Sequence, residues 1–302
     1  MASSVAIDSV SQSQHRRGQV YVALAAVAWS TAGVLQRELH VGLGTQVTGR
    51  ALFAFAALAI FVFAGHRHGL VGQVRESGWA MLGVSVSTAL ASAAFIVALN
   101  YTTVARVLFL QAAAPMFAAL LAWVSLGEPV SARSWAAMAI ALAGVGVMVG
   151  APGNGSILVD LLTIVIPLSF AVSIVITRHH RHMSMAPATC LAQVLIFACA
   201  VPFAHPGTVD GRNLVLLILL GAGQIGLGLA LLSIGARLIP AAEIATITLL
   251  EVVLGPLWVW IVVSEQPSTA TLIGGAIVSI AVLLQAGGEP PSGVANVSPP
   301  PP

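Results

Sequence analysis

The 302-residue sequence contains no lysine; its twelve basic side chains are all arginine. Charged residues make up only 7% of it, against about 25% in a soluble domain. So little charge excludes a water-soluble fold of this size, because nothing would keep the apolar surface dispersed. The net charge of +2 gives no basic excess with which to hold nucleic acid. Cysteine is nearly absent too: Cys190 and Cys199 fall on one expected helix, too far apart along it to bridge each other. Walker A, GxSxG, HExxH and EF-hand patterns are all missing. Without a nucleotide site, any coupling must come from an ion or proton gradient, or be absent.

What the chain has in quantity is apolar sequence: 58% hydrophobic residues and a mean hydropathy of +0.98. The apolar runs are continuous rather than alternating, which specifies transmembrane helices and not a barrel. We count ten, each near the 20 residues that cross a bilayer. The first five are residues 19–39, 46–64, 79–99, 104–126 and 131–150. The second five are 157–176, 187–203, 213–236, 241–263 and 268–286. Residues 1–18 form a polar tail, and the run after it is too long for a signal-peptide core and has no cleavage site. Residues 287–302 are rich in Gly, Pro and Ser and are expected to be disordered.

Ten spans put both termini on one side of the membrane. With that side cytoplasmic, the inner segments carry Arg16, Arg17, Arg67, Arg75, Arg133, Arg178, Arg181 and Arg237. The outer side carries Arg37 and Arg212, with Arg50 and Arg106 just inside helix ends there. This fits the positive-inside rule, with the protein in the cytoplasmic membrane.

An internal repeat divides the chain. Trp123, Glu128 and Ser131 recur 137 positions later as Trp260, Glu265 and Ser268, each time between one long helix and the next. Five spans per half is an odd number, so residues 157–286 must run upside down relative to residues 19–150. Inverted repeats of this kind build secondary transporters, with the site at mid-membrane between the halves.

These features resemble the EamA-type family of the drug/metabolite transporter superfamily. The resemblance rests on residues 98–129 and 235–265. Each reads as the end of a third helix, a short connection, a long fourth helix and the family's Glu. The Gly-rich fifth helices, AWSTAGVLQREL near the start and Arg50 early in the second span add to it. The family's Pro stands thirteen residues before the closing Glu. Pro115 keeps that place, but the second half has Val252 there and Pro256 later, so a kink in the ninth helix is expected about one turn further on. The resemblance implies two inverted five-helix repeats and alternating-access transport, by export or exchange, of a small metabolite such as an amino acid.

Glu251 is the residue that most demands a function. It lies mid-way along an otherwise apolar span, where a carboxylate costs about 2.5 kcal/mol or more. It is the mid-membrane acid able to take up and release a proton. Gln111, Gln224, Trp29 and Trp258 join it as substrate-binding candidates; Asn100 is read as helix-to-helix glue. Arg50, with Arg106, either snorkels to headgroups or draws an anionic group. Glu128 and Glu265 are read as structural, since a carboxylate is favoured near a helix N-terminus, with Ser131 and Ser268 as N-caps. Pro115, Pro167 and Pro256 are expected breaks, and Gly146 with Gly150 and the cluster Gly221, Gly223, Gly226 and Gly228 are expected close contacts.

Two histidine-rich patches, residues 66–68 and 178–185, lack the carboxylate or Cys partners that a metal needs, so no metal or cofactor is assigned. The expected partners are a small-molecule substrate, the lipid bilayer, protons and a second copy of the chain as a homodimer. The rival readings are a passive uniporter, an intramembrane lipid-modifying enzyme, for which no paired catalytic set is found, and a sensor, for which neither terminus is long enough.

Overall fold

The computed structural model describes residues 2–65, 70–127, 131–149, 157–180, 185–239 and 241–286. Among them there is no strand. Without water to satisfy N–H and C=O groups, a spanning segment must close its own hydrogen bonds, and the helix does so. In chain order the helices are α1 (Ala2–Ser30), α2 (Ala32–Arg37), α3 (Leu43–Gly65), α4 (Leu70–Tyr101), α5 (Val104–Gln111), α6 (Ala114–Leu126) and α7 (Ala132–Val149). Then follow α8 (Ile157–His179), α9 (Met185–Ala200), α10 (Gly211–Ile218), a π-helical stretch (Leu219–Leu227), α11 (Gly228–Gly235), α12 (Ala241–Val263) and α13 (Thr269–Ala286). Five segments are long and apolar enough to cross a membrane: Ser13–Arg37, Leu43–Phe63, Gly78–Tyr101, Val104–Ser125 and Gly211–Gly235. Five shorter apolar helices accompany them. Ile60, Val124, Leu158, Val253 and Ile261 stand more than half exposed, which suits lipid and not water.

Several interruptions follow from local chemistry. Ser30 and Thr31 each bond back to a carbonyl three residues earlier, Val27 and Ala28, at 2.7 Å. Such back-bonding bends helices, and α1 gives way to α2 there. Gly78, at φ 54°, lets α4 turn before its apolar part begins. Between α5 and α6, Pro115 has no N–H to give the Gln111 carbonyl, and the helix breaks at Ala112–Ala113. The other two expected breaks are not made: α8 runs on through Pro167 and α12 through Pro256. Their neighbours complete the helix around the missing bond. The polar N-terminal stretch is helical, since α1 extends back to Ala2.

Ser131 and Ser268 cap α7 and α13 in the same way. The hydroxyl of each accepts the N–H three residues on, Ser134 at 3.1 Å and Thr271 at 3.2 Å. Each also bonds that residue's hydroxyl, at 3.0 and 2.9 Å. Ser131→Ala and Ser268→Ala are each expected to lower stability by about 1 kcal/mol, read as equal shifts in thermal unfolding midpoint in detergent.

Glycine sets the closest helix approaches. Gly144 of α7 and Gly274 of α13 meet backbone to backbone; a Cβ on either would lie within 2.7 Å of the other's carbonyl oxygen. Of the expected pair Gly146 and Gly150, Gly146 is not part of this contact. Gly146 faces open space, and Gly150 lies outside the described residues. Gly221 and Gly226 pack on α3, and Gly228 on Trp29. Among the most extensively packed pairs are α4 with α8, α3 with α9, α6 with α8, α1 with α11 and α12, and the π stretch with α3.

Candidate functional site

Glu251 sits near the middle of α12 and is 9% exposed. Among the described residues its carboxylate has no hydrogen-bond or ion-pair partner, yet it retains accessible surface. Helices α5 and α12 run antiparallel beside it. Val104, at the start of α5, packs with Val259 on Gly33, and Leu108, one turn on, packs on Gly255. Another turn along each helix brings Gln111 and Glu251 to one level. Pro115 and Pro256 free the carbonyls of Gln111 and Val252 at that level. Two sequence candidates from distant parts of the chain thus share one depth.

Arg50 does not snorkel. It is 4% exposed and points inward. Its Nη1 donates to Ser92 Oγ at 2.8 Å, and its Nη2 to Gln224 Oε1 at 3.0 Å. The guanidinium lies 5.8 Å from the centroid of Phe95, and its Nε–H is buried with no partner among the described residues. Arg106 is likewise buried, at 2% exposure, so headgroup contact is ruled out for it as well.

The aromatic candidates continue the same belt. Gly228, one turn beyond Gln224, carries the indole of Trp29 against its backbone. Next to Trp29, Ser30 accepts from Trp258 Nε1 at 3.1 Å, and its carbonyl lies against Gly255. Arg50 thus touches Gln224 directly, while Trp29 is reached through Gly228, one turn beyond Gln224, and Trp258 through Ser30; Gly255 lies one turn from Glu251. Neither tryptophan is an exposed interfacial anchor; Trp79, at 87% exposed, has that character.

Glu265 lies at a helix N-terminus, though not that of the helix it precedes. Its Oε1 accepts from the Val104 N–H at the start of α5, at 2.8 Å, and its Oε2 pairs with Arg37 Nε at 2.6 Å. Arg37 also donates to the carbonyls of Leu99 and Thr102, closing the α4–α5 connection. Glu265→Ala is expected to cost roughly 2 kcal/mol, as for a charged hydrogen bond. Glu265→Gln, which keeps the contact to Val104, should cost less; both are read as thermal midpoints. Glu128, its counterpart in the repeat, lies outside the described residues, as do residues 66–69, 181–184 and 287–302. Of the histidine patches, His179 and His180 are described; they are exposed and stack edge-on at 4.9 Å.

Sequence reasoning missed Arg37, Ser92 and the π stretch. Arg37 reads as an outer-loop charge until the fold brings Glu265 to it. The run GAGQIG could have marked an irregular turn, since glycine weakens the α-helix and π turns gather at functional sites. Asn100 ties α4 to α3, donating to Gln46 Oε1 at 3.0 Å, while Gln36 donates to the same oxygen.

Residues 16–150 match the EamA-like transporter family, part of the drug/metabolite transporter superfamily. One of fifteen solved chains that match, a crystal structure 18% identical, aligns over 88% of this chain and 97% of its own, with a TM-score of 0.59. It shares the fold. No curated protein matches the chain.

Proposed function

With residues 16–150 belonging to the EamA-like transporter family, we propose that the whole chain is a secondary transporter of a small metabolite, working by alternating access. It exports or exchanges its solute across the cytoplasmic membrane, with both termini inside. Residues 19–150 and 157–286 form two inverted halves of five spans each.

The packing supports this reading. Write the halves as α1–α2, α3, α4, α5–α6, α7 and α8, α9, α10–α11, α12, α13. Exchanging them turns α4 on α8 into α11 on α1, α3 on the π stretch into α9 on α4, and α1 on α12 into α8 on α6; all of these contacts are made. The pairs α3 with α9 and α7 with α13 map onto themselves. A two-fold axis in the membrane plane relates contacts in this way.

The single observation that carries the mechanism is Glu251: buried at mid-helix, unpartnered among the described residues, and one turn from Gly255, on which Leu108 of α5 packs. A carboxylate placed so is a proton carrier that needs no other machinery. Its proton would be lost to one side and regained from the other as the halves rock about the shared depth. The test is a thermal-shift screen of amino acids and related metabolites on the purified chain, followed by flux of the hits in proteoliposomes. Saturable flux that responds to an imposed pH gradient is the expected result. Saturable flux indifferent to the gradient would make the protein a passive uniporter, and no flux of any hit would remove transport.

A further inference from the structure

We propose that Arg50, Gln224 and Ser92 form a subsite for the carboxylate of the transported solute, an inference that rests on the transport reading above. A guanidinium always carries its charge, and here it is buried at 4% exposure with no carboxylate paired to it among the described residues. A buried charge without a counter-ion is strongly unfavourable. Ser92 and Gln224 bring dipoles but no charge, and Phe95 offers its ring face. As a tie between helices, a neutral side chain would serve equally well. The missing element is a negative charge, and a ligand can bring it.

The donors present define that ligand. Guanidinium only donates, so the Gln224 oxygen must face Arg50 and the amide nitrogen must point elsewhere. That nitrogen has no partner among the described residues and keeps accessible surface. Ser92 Oγ accepts from Arg50, which leaves its own proton to give. The buried Arg50 Nε–H is the third unused donor. What these groups leave unused is mainly donors, and the planar fork of arginine matches a carboxylate edge. Gly221 makes the arrangement possible. Its bare Cα lets the π stretch lie on the carbonyl of Arg50 and the backbone of Ala54, which carries Gln224 to the guanidinium.

The test uses the purified full-length chain in detergent at constant ionic strength. Unfolding midpoints are compared with acetate and benzoate, with their amides acetamide and benzamide, and with inorganic phosphate. The acids should raise the midpoint in a saturable way and the amides should not. Gln224→Glu supplies an internal counter-ion: it should raise the ligand-free midpoint and weaken carboxylate binding by about tenfold or more. Arg50→Gln should abolish the acid-specific shift, and Gln224→Glu keeps the test decisive where that protein does not fold. Equal effects of acids and amides, stronger protection by phosphate than by the acids, or unaltered acid binding in Gln224→Glu would each overturn the proposal. Flux of an uncharged solute without an acid-specific shift would remove the subsite and leave transport standing. An acid-specific shift without flux would do the reverse.

Discussion

Glu251→Gln abolishes accumulation driven by a pH gradient and leaves counterflow exchange in place: this is the expected outcome in proteoliposomes loaded with a solute that the chain carries. Glutamine keeps the size and hydrogen-bonding capacity of the side chain but has no proton to release. With one proton coupled to each solute, every pH unit across the membrane sustains about a tenfold concentration ratio, because both correspond to about 1.4 kcal/mol. The variant should bring that ratio to about one. Binding should survive, since Gln111 and the belt from Arg50 to Trp258 are untouched. Unchanged accumulation in the variant would rule out Glu251 as the proton carrier. Loss of binding together with exchange would mean that the acid holds the solute itself.

The second large effect belongs to Gly221. A Cβ there would lie 2.6 Å from the Arg50 carbonyl oxygen, 2.6 Å from Phe53 Cβ and 2.7 Å from the Ala54 N. Two of those atoms are backbone and cannot turn aside. Overpacking usually costs about 1–3 kcal/mol, so Gly221→Ala should destabilise the chain by that amount. Gly221→Leu should prevent recovery of monodisperse protein. Gly223, two residues along, meets only Leu219 Cδ2 at 4.0 Å, and Gly146 meets nothing within 4 Å. Gly223→Ala and Gly146→Ala should leave both yield and midpoint near the parent values. If Gly221→Leu behaves like these controls, the π stretch does not rest on α3 as described.

Much of the candidate site was legible in the sequence because charge is so rare in it. A carboxylate in the middle of an apolar run stands out by its cost, so Glu251 could be singled out without any neighbour. The W-x4-E-x2-S repeat was legible for the same reason, and its two serines cap their helices alike. Arg50 was only half legible. Its position near a helix end suited headgroup contact and anion binding equally, and the choice depended on which way the side chain points. Gly146 illustrates the converse. GxxxG spacing marks a face of the helix, but the partner helix settled on Gly144 instead.

The sequence by itself determined apolar helices suited to the bilayer, the rough limits of those described, and the isolation of one acid mid-way along an apolar run. These follow from hydropathy and helical rise, which are local properties. Only the tertiary structure decided that α5 packs along α12 through Leu108 on Gly255, that Arg50 turns inward to Gln224, and that Glu265 caps α5 and holds Arg37. Those pairings join residues far apart in the chain. Lipid offers no hydrophobic preference for one helix face over another, so shape and polar contacts between packed helices chose them.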